Sequence, residues 1–157
     1  MKKVTNIAAL RARLHDARTA GKRIALVPTM GYLHEGHVAL VDAAHREEDV
    51  VVLSLFVNPL QFAPGEDFEH YPRDLARDGA LAASRGVDIL FAPSAVEMYG
   101  EGPQVRLPGA AAADRWEGSA RPGHFDGGLT GVTQRLTSVT PAGPYFGQKY
   151  IPQHPHT

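Results

Sequence analysis

Two histidines stand three residues apart in residues 28–37, which read Pro-Thr-Met-Gly-Tyr-Leu-His-Glu-Gly-His. This segment follows the apolar residues 24–27, which are typical of a buried β-strand, and precedes a helical pattern that begins near Gly36. The first backbone N–H groups of a helix carry partial positive charge and favour phosphate. His34 and His37 lie on one side of the predicted first turn and add two imidazole donors. The arrangement suits a polyphosphate that undergoes reaction.

Two other interpretations of the histidine pair remain open. The pair could serve only to cap and pack the helix, because helix ends recruit polar side chains in any case. A metal site is a second alternative, although no third ligand stands at a telling spacing and the chain has no cysteine. Gly31 and Gly36 lack a Cβ atom and would let a ligand approach the backbone, which favours the phosphate interpretation.

The composition limits the class of protein. The chain has 157 residues, a formal net charge of -1 and 43% hydrophobic residues, as expected for one domain with a sizeable core. This charge gives no electrostatic reason to expect nucleic acid or a membrane surface as a partner. The absence of cysteine excludes disulfides and thiolate chemistry. No signal-type core and no membrane-spanning apolar run is found, so we expect a cytoplasmic protein.

Strands and helices alternate along the chain, which predicts an α/β fold with a Rossmann-like, doubly wound parallel sheet. The predicted strands are residues 23–27, 50–57 and 87–91, with a further short strand that ends at residues 145–147. The predicted helices run from Ile7 to about Ala20 with Asn6 as cap and Gly21 as stop, from Gly36 to Glu47, and from Pro72 to Arg85 before Gly86. Residues 97–103 are predicted to form a loop.

Polar side chains follow several of the predicted strands. His34 and His37 come after the first strand, Asn58 and Gln61 after the second, and Lys149 after the last. Ligands of such sheets bind beyond the carboxyl ends of the strands, so we expect these side chains to converge at one edge.

Five segments together resemble the pantothenate synthetase family, also called pantoate–β-alanine ligase. They are residues 28–37, 56–62 (Phe-Val-Asn-Pro-Leu-Gln-Phe), 71–73 (Tyr-Pro-Arg), 121–125 (Arg-Pro-Gly-His-Phe) and 146–149 (Phe-Gly-Gln-Lys). The resemblance extends, in order, over nearly the whole chain. The His-x-Gly-His element alone indicates only the wider nucleotidylyl-transferase superfamily.

The resemblance implies an enzyme that condenses pantoate with β-alanine to form pantothenate. ATP and Mg²⁺ would be required, and a pantoyl-adenylate intermediate would form before AMP is displaced by the amine. The implied partners are these small molecules and a second copy of the chain in a homodimer, with no nucleic acid and no membrane. Two alternatives are a catalytically inactive binding module and another adenylyl or cytidylyl transferase; residues 58–62 argue against the latter.

The resemblance also implies roles for single residues. His37, His34 and Lys149 would be catalytic, with His37 as the proton-donating or charge-stabilising group. The implied ATP-binding residues are Met30, Gly31, Tyr32, Leu33, His34, Glu35, Gly36, His37, Gly147, Gln148, Lys149 and Tyr150. Pantoate and β-alanine would be bound by Gln61, Gln153 and Asn58, and no residue is assigned to a metal. Tyr71 is expected to close over pantoate or to pack, and Arg121, His124 and Glu117 are further candidates.

The chain departs from the family pattern near its end. Tyr150 stands where the family has an acidic residue after the lysine, and Pro152 disfavours the helix expected there. We therefore expect residues 1–147 to form a nucleotide- and pantoate-binding domain and residues 148–157 to form an atypical tail. The C-terminal domain of the family is not found in the sequence, so a fragment of low activity is expected.

Overall fold

The structure is a computed structural model, and it describes residues 1–63, 65–100 and 139–140 and the backbone of residues 143–144. The strands are β1 (Lys2–Val4), β2 (Ile24–Thr29), β3 (Val50–Leu55), β4 (Ile89–Phe91) and β5 (Gly143–Pro144). The helices are α1 (Ile7–Thr19), α2 (Glu35–Glu47), α3 (Leu75–Ser84) and α4 (Ala95–Tyr99), with a 3-10 turn at Pro59–Gln61. No helix in these described ranges is long and apolar enough to cross a membrane.

The five strands form one parallel sheet in the order β1-β4-β3-β2-β5. The central strands β2 and β3 pair over their whole length, from Ile24 opposite Val50 to Thr29 opposite Leu55. All residues of both strands are buried, as their continuous apolar sequences predict for strands covered on two faces. The predicted parallel α/β fold is confirmed.

Helices cover both faces of this sheet. One face packs against α1 and α4, and its core includes Ile24, Leu26, Val50 and Val52 from the strands with Leu10, Leu14, Met98 and Tyr99 from the helices. The opposite face packs against α2 and α3, and its core includes Ala25, Val27, Val51 and Leu53 with Val41, Ala44 and Ala82. The alternation of side chains along each strand therefore separates two cores.

Local signals predict the helix ends well in most cases. Asn6 caps α1, where its side chain accepts the N–H of Ala9 at 2.7 Å, and Gly21 follows the helix with φ +76°. Gly86 follows α3 with φ +77°, as a helix stop requires. The predicted start of α3 at Pro72 is wrong. The helix begins at Leu75 because Asp74 accepts the N–H of Arg77 at 3.0 Å and so provides the cap.

Two elements, β1 and α4, are not predicted from the sequence. The sequence does not predict β1, because three residues with two exposed lysines carry no strand pattern until they pair with β4. Residues 97–99 belong to α4 rather than to a loop, since Ser94 caps this helix and Gly100, at φ +63°, ends it. The predicted strand end at residues 145–147 lies outside the described residues.

Candidate active site

The two histidines cap the start of α2. His34 is the N-cap residue, and its Nδ1 accepts the N–H of Gly36 at 3.1 Å. The N–H of His34 donates in turn to Nδ1 of His37 at 3.3 Å, which completes a capping box. The two rings lie with their centroids 4.1 Å apart. Both histidines thus take part in the cap of α2.

This cap determines which nitrogen of each neutral ring carries the proton. Both Nδ1 atoms accept backbone N–H groups, so the hydrogen-bond pattern assigns the proton to Nε2. An Nε2–H group is a donor that can meet an anionic oxygen. Capping uses Nδ1 of each ring, so it is compatible with the predicted phosphate contact through Nε2.

A local contact, which the sequence does not reveal, explains why position 36 is a glycine. A Cβ atom at this position would lie 2.9 Å from Cε1 of His34, closer than a side chain allows. The missing Cβ makes room for the capping imidazole itself. Glycine at position 36 thus serves the geometry of the histidine pair.

The turn before the histidines has an uncommon backbone. Gly31 has φ +86° and Tyr32 has φ +51°, so two successive residues are left-handed. The hydroxyl of Thr29 supports the turn, because it accepts the N–H of Gly31 at 3.1 Å and donates to the carbonyl of Ser54 at 2.8 Å. The turn is therefore tied to the ends of both central strands.

Asp78 on α3 holds the same turn, and sequence reasoning missed it. Its carboxylate is 2% exposed and accepts the N–H of Tyr32 at 2.7 Å and that of Leu33 at 2.8 Å. Arg77 donates to the carbonyl of Leu33 at 3.0 Å, and its guanidinium lies 5.0 Å from the centre of the Tyr32 ring. A usable signal was the position of Asp78 four residues before the buried Ala82, on the inner face of the helix.

Gln61 lies beyond β3 on the 3-10 turn, with a side chain that is largely buried. Asn58 caps this turn, since its Oδ1 accepts the N–H of Leu60 at 3.1 Å. The same Oδ1 accepts the hydroxyl of Tyr99, on α4, at 2.8 Å. Asn58 is fully buried, and these contacts make it the residue that holds the turn carrying Gln61.

The loop after Gln61 is held by aromatic and arginine contacts. Phe62 packs edge-on against Phe68 and Tyr71, with ring centroids 5.4 and 5.9 Å away. Arg73 donates to the carbonyls of Phe68 at 2.9 Å and of Tyr71 at 3.0 Å. Tyr71 thus packs within its own loop.

A cavity of about 300 Å³ opens at the carboxyl edge of the sheet, between β3, β4 and the start of α3. Met30 and Gly31 line it, together with Leu55, Phe56 and Ala92 from the strand ends. His34, His37, Asn58 and Gln61 are not among its lining residues. The structure therefore brings Met30 and Gly31 to this cavity, whereas the histidines and Gln61 lie on separate turns after β2 and β3.

Several predicted site residues lie outside the residues that the structure describes. They are Gly147, Gln148, Lys149, Tyr150 and Gln153, with the further candidates Arg121, His124 and Glu117. Within the described part of the chain, no group of three or more histidine or acidic residues could hold a metal ion.

Comparison with known proteins gives close matches. The family whose model matches is Pantoate-beta-alanine ligase, over residues 2–155. A pantothenate synthetase of Lysinibacillus sphaericus is 54% identical over 149 residues, which are 95% of this chain and 52% of that protein. One from Geobacillus kaustophilus is 54% identical over 143 residues, which are 91% and 48% of the two chains. The chain spans about half the length of the curated relatives it matches.

Solved structures give the same result. Pantothenate synthetase from Thermus thermophilus has a TM-score of 0.89 and 50% identity, and the match covers 98% of this chain and 54% of that one. A pantoate-beta-alanine ligase from Francisella tularensis, complexed with beta-gamma ATP and beta-alanine, has a TM-score of 0.91 and 39% identity. That match covers 99% of this chain and 60% of the other. The resemblance predicted from the five segments is confirmed.

The bond between Tyr99 and Asn58 generates a stability prediction. Tyr99→Phe removes a buried hydroxyl that donates to Asn58 Oδ1, so the free energy of unfolding should fall by about 1–2 kcal/mol. Tyr32→Phe is the matched control, because the Tyr32 side chain is 52% exposed and should change stability by less than about 0.5 kcal/mol. Urea denaturation measures both. Equal stability of the two variants would show that the buried bond contributes nothing.

Proposed function

Because the chain belongs to the pantoate-beta-alanine ligase family, we propose that it serves the ATP-dependent condensation of pantoate with β-alanine to form pantothenate. The observation that supports the proposal most directly is the histidine pair at the carboxyl edge of the sheet. Both histidines use Nδ1 in the cap of α2, and this orients their Nε2–H groups as donors. Further support comes from the Francisella ligase, whose structure was solved with beta-gamma ATP and beta-alanine. The activity and substrates proposed are those of the whole protein.

The reaction would proceed in two steps. A carboxylate oxygen of pantoate forms a bond to the α-phosphorus of ATP, and the bond from that phosphorus to the bridging oxygen breaks to release pyrophosphate. The amine of β-alanine then attacks the acyl carbon of pantoyl adenylate. AMP leaves with the electron pair of the carbon–oxygen bond, and the nitrogen loses a proton to solvent. The protein supplies alignment and donors for the developing charge.

The proposed roles follow from the donors and acceptors of each side chain. His34 and His37 donate Nε2–H to the ATP phosphates, with His37 acting on the charge that develops at the α-phosphate. Gln61 hydrogen-bonds pantoate, since an amide offers a donor and an acceptor to a hydroxyacid. Lys149 is proposed to be catalytic together with the two histidines. The proposed ATP site also includes Met30, Gly31, Tyr32, Leu33, Glu35, Gly36, Gly147, Gln148, Lys149 and Tyr150, and the proposed site for pantoate and β-alanine includes Gln153 and Asn58.

Mg²⁺ is proposed to arrive with the nucleotide rather than in a protein cage. The described residues offer no three-ligand cluster for it, and Mg²⁺ commonly keeps several waters and binds through substrate phosphates. A cytoplasmic homodimer is proposed on the family resemblance. Residues 1–147 would form its nucleotide- and pantoate-binding domain, with residues 148–157 as an atypical C-terminal tail.

Pyrophosphate release that requires both ATP and pantoate tests the proposed function. His37→Ala should lower the rate about a hundredfold, because loss of one charge-stabilising donor raises the barrier by about 3 kcal/mol. His45→Ala is the matched control, since His45 lies two turns further along the same helix. An equal rate of pyrophosphate release with and without pantoate would exclude the ligase activity. A rate for His37→Ala close to that of the parent would show that His37 takes no part in the chemistry.

Two substitutions at position 34 separate capping from phosphate binding. Asn is among the preferred N-cap residues, so His34→Asn should keep helix stability while losing the Nε2 donor. His34→Ala loses both functions and should cost about 1 kcal/mol of stability. We expect both variants to bind ATP more weakly in calorimetric titrations and only the alanine variant to melt earlier. If His34→Asn bound ATP normally, the role of His34 would be capping alone.

Gln61→Met nearly conserves the side-chain volume and removes both hydrogen-bonding groups of the amide. The KM for pantoate should rise about tenfold, as expected for one or two lost hydrogen bonds, while the KM for ATP stays unchanged. Steady-state kinetics with each substrate varied in turn measures this. An equal rise in both KM values would point to a disturbed fold instead of a pantoate contact.

A further inference from the structure

We propose that Asp78 and Arg77 are positioning residues for the nucleotide site, on which they act through the backbone of residues 31–33. Neither residue lies in the segments that suggested the site from the sequence. The inference rests on the proposed function and extends it to α3, whose residue 78 lies 45 positions after Leu33 in the chain.

The carboxylate of Asp78 occupies an anion-binding turn. Left-handed backbone at Gly31 and Tyr32 aims two successive N–H groups, those of Tyr32 and Leu33, at one point. Such concave pairs of N–H groups bind anions in many proteins. Here each oxygen of one buried side chain accepts one of the two bonds, at 2.7 and 2.8 Å, which is the range of charge-assisted hydrogen bonds.

Arg77 binds a backbone carbonyl group of the same turn. It donates to the carbonyl of Leu33 at 3.0 Å, and its guanidinium covers the Tyr32 ring. It also lies 3.4 Å from Oδ1 of Asp78, where its charge balances the carboxylate. Adjacent residues of one helix therefore bind the N–H and the C=O of the peptide units just before the histidine cap.

The contacts of Asp78 and Arg77 can influence the orientation of His34 and His37, because only one peptide bond separates Leu33 from His34. Leu33 is joined directly to His34, whose N–H donates to His37 and whose ring caps α2. A rotation of the Leu33 peptide would redirect both rings, and small errors in the alignment of reacting groups are costly. The N–H groups of Tyr32 and Leu33 are bound to this carboxylate, so contacts of these two residues with ATP would be made by other atoms.

Asp78→Asn is the main test. The side-chain oxygen can still accept one N–H group, but the amide NH2 then faces the other, donor against donor. We expect large shifts of the Tyr32 and Leu33 amide resonances in two-dimensional NMR, displaced ring resonances of His34 and His37, and about tenfold weaker ATP binding. Asp16→Asn, at an exposed position of α1, removes the same charge and should leave all of these within twofold or unshifted.

Arg77→Met provides a second variant that should fold, because the Arg77 side chain is 48% exposed. It should shift the Tyr32 ring resonances and weaken ATP binding severalfold, whereas Arg13→Met, at an exposed position of α1 on the other face of the sheet, should do neither. Unmoved histidine rings together with unchanged ATP affinity in both test variants would overturn the proposal. If the parent chain binds no ATP, the proposed function fails, and the ring resonances alone decide whether α3 positions the histidines.

Discussion

Burial of β2 and β3 on both faces is the constraint on which the rest of the structure depends. Helices cover both sides of these strands, so an unpaired polar group along their length would be costly. Polar chemistry is therefore confined to the strand ends. Thr29 shows the transition, since its hydroxyl donates to the backbone carbonyl of Ser54 and accepts the N–H of Gly31. These bonds join the two strands where the apolar core stops and the candidate site begins.

The cap of α2 does not by itself explain why histidine occupies position 34. Ser, Thr, Asp and Asn are the preferred caps, so histidine is not the choice that helix stability alone would favour. Imidazole, however, carries two nitrogens on different sides of a rigid ring. Nδ1 of His34 serves the backbone of Gly36, and the proton on Nε2 points away from that bond and can meet an anion. A shorter capping side chain could not combine the cap with the proposed anion contact at the same position.

Much of this architecture could be predicted from the sequence, because local signals determine it. The apolar runs of β2 and β3, the Asn6 cap and the glycine stops at Gly21 and Gly86 all act within a few residues. The missed elements depend on partners distant in the chain. β1 exists through its pairing with β4, and Glu97 of α4 accepts the N–H of Ile7, 90 positions away. The position of Asp78 on the inner face of a helix indicated burial, but it gave no indication of its two backbone partners.

The turn before α2 and the 3-10 turn at Pro59–Gln61 are held in the same way. A neighbouring residue caps each turn, and a helix later in the chain adds a hydrogen bond to it. His34 caps α2, and Asp78 and Arg77 of α3 hold the preceding peptides. Asn58 caps the Gln61 turn, and the hydroxyl of Tyr99 on α4 holds Asn58. Short capped turns alone would be adaptable, since a few weak bonds allow several conformations. The long-range bonds remove that freedom, so the carboxyl edge acquires its final geometry only when α3 and α4 have packed against the sheet.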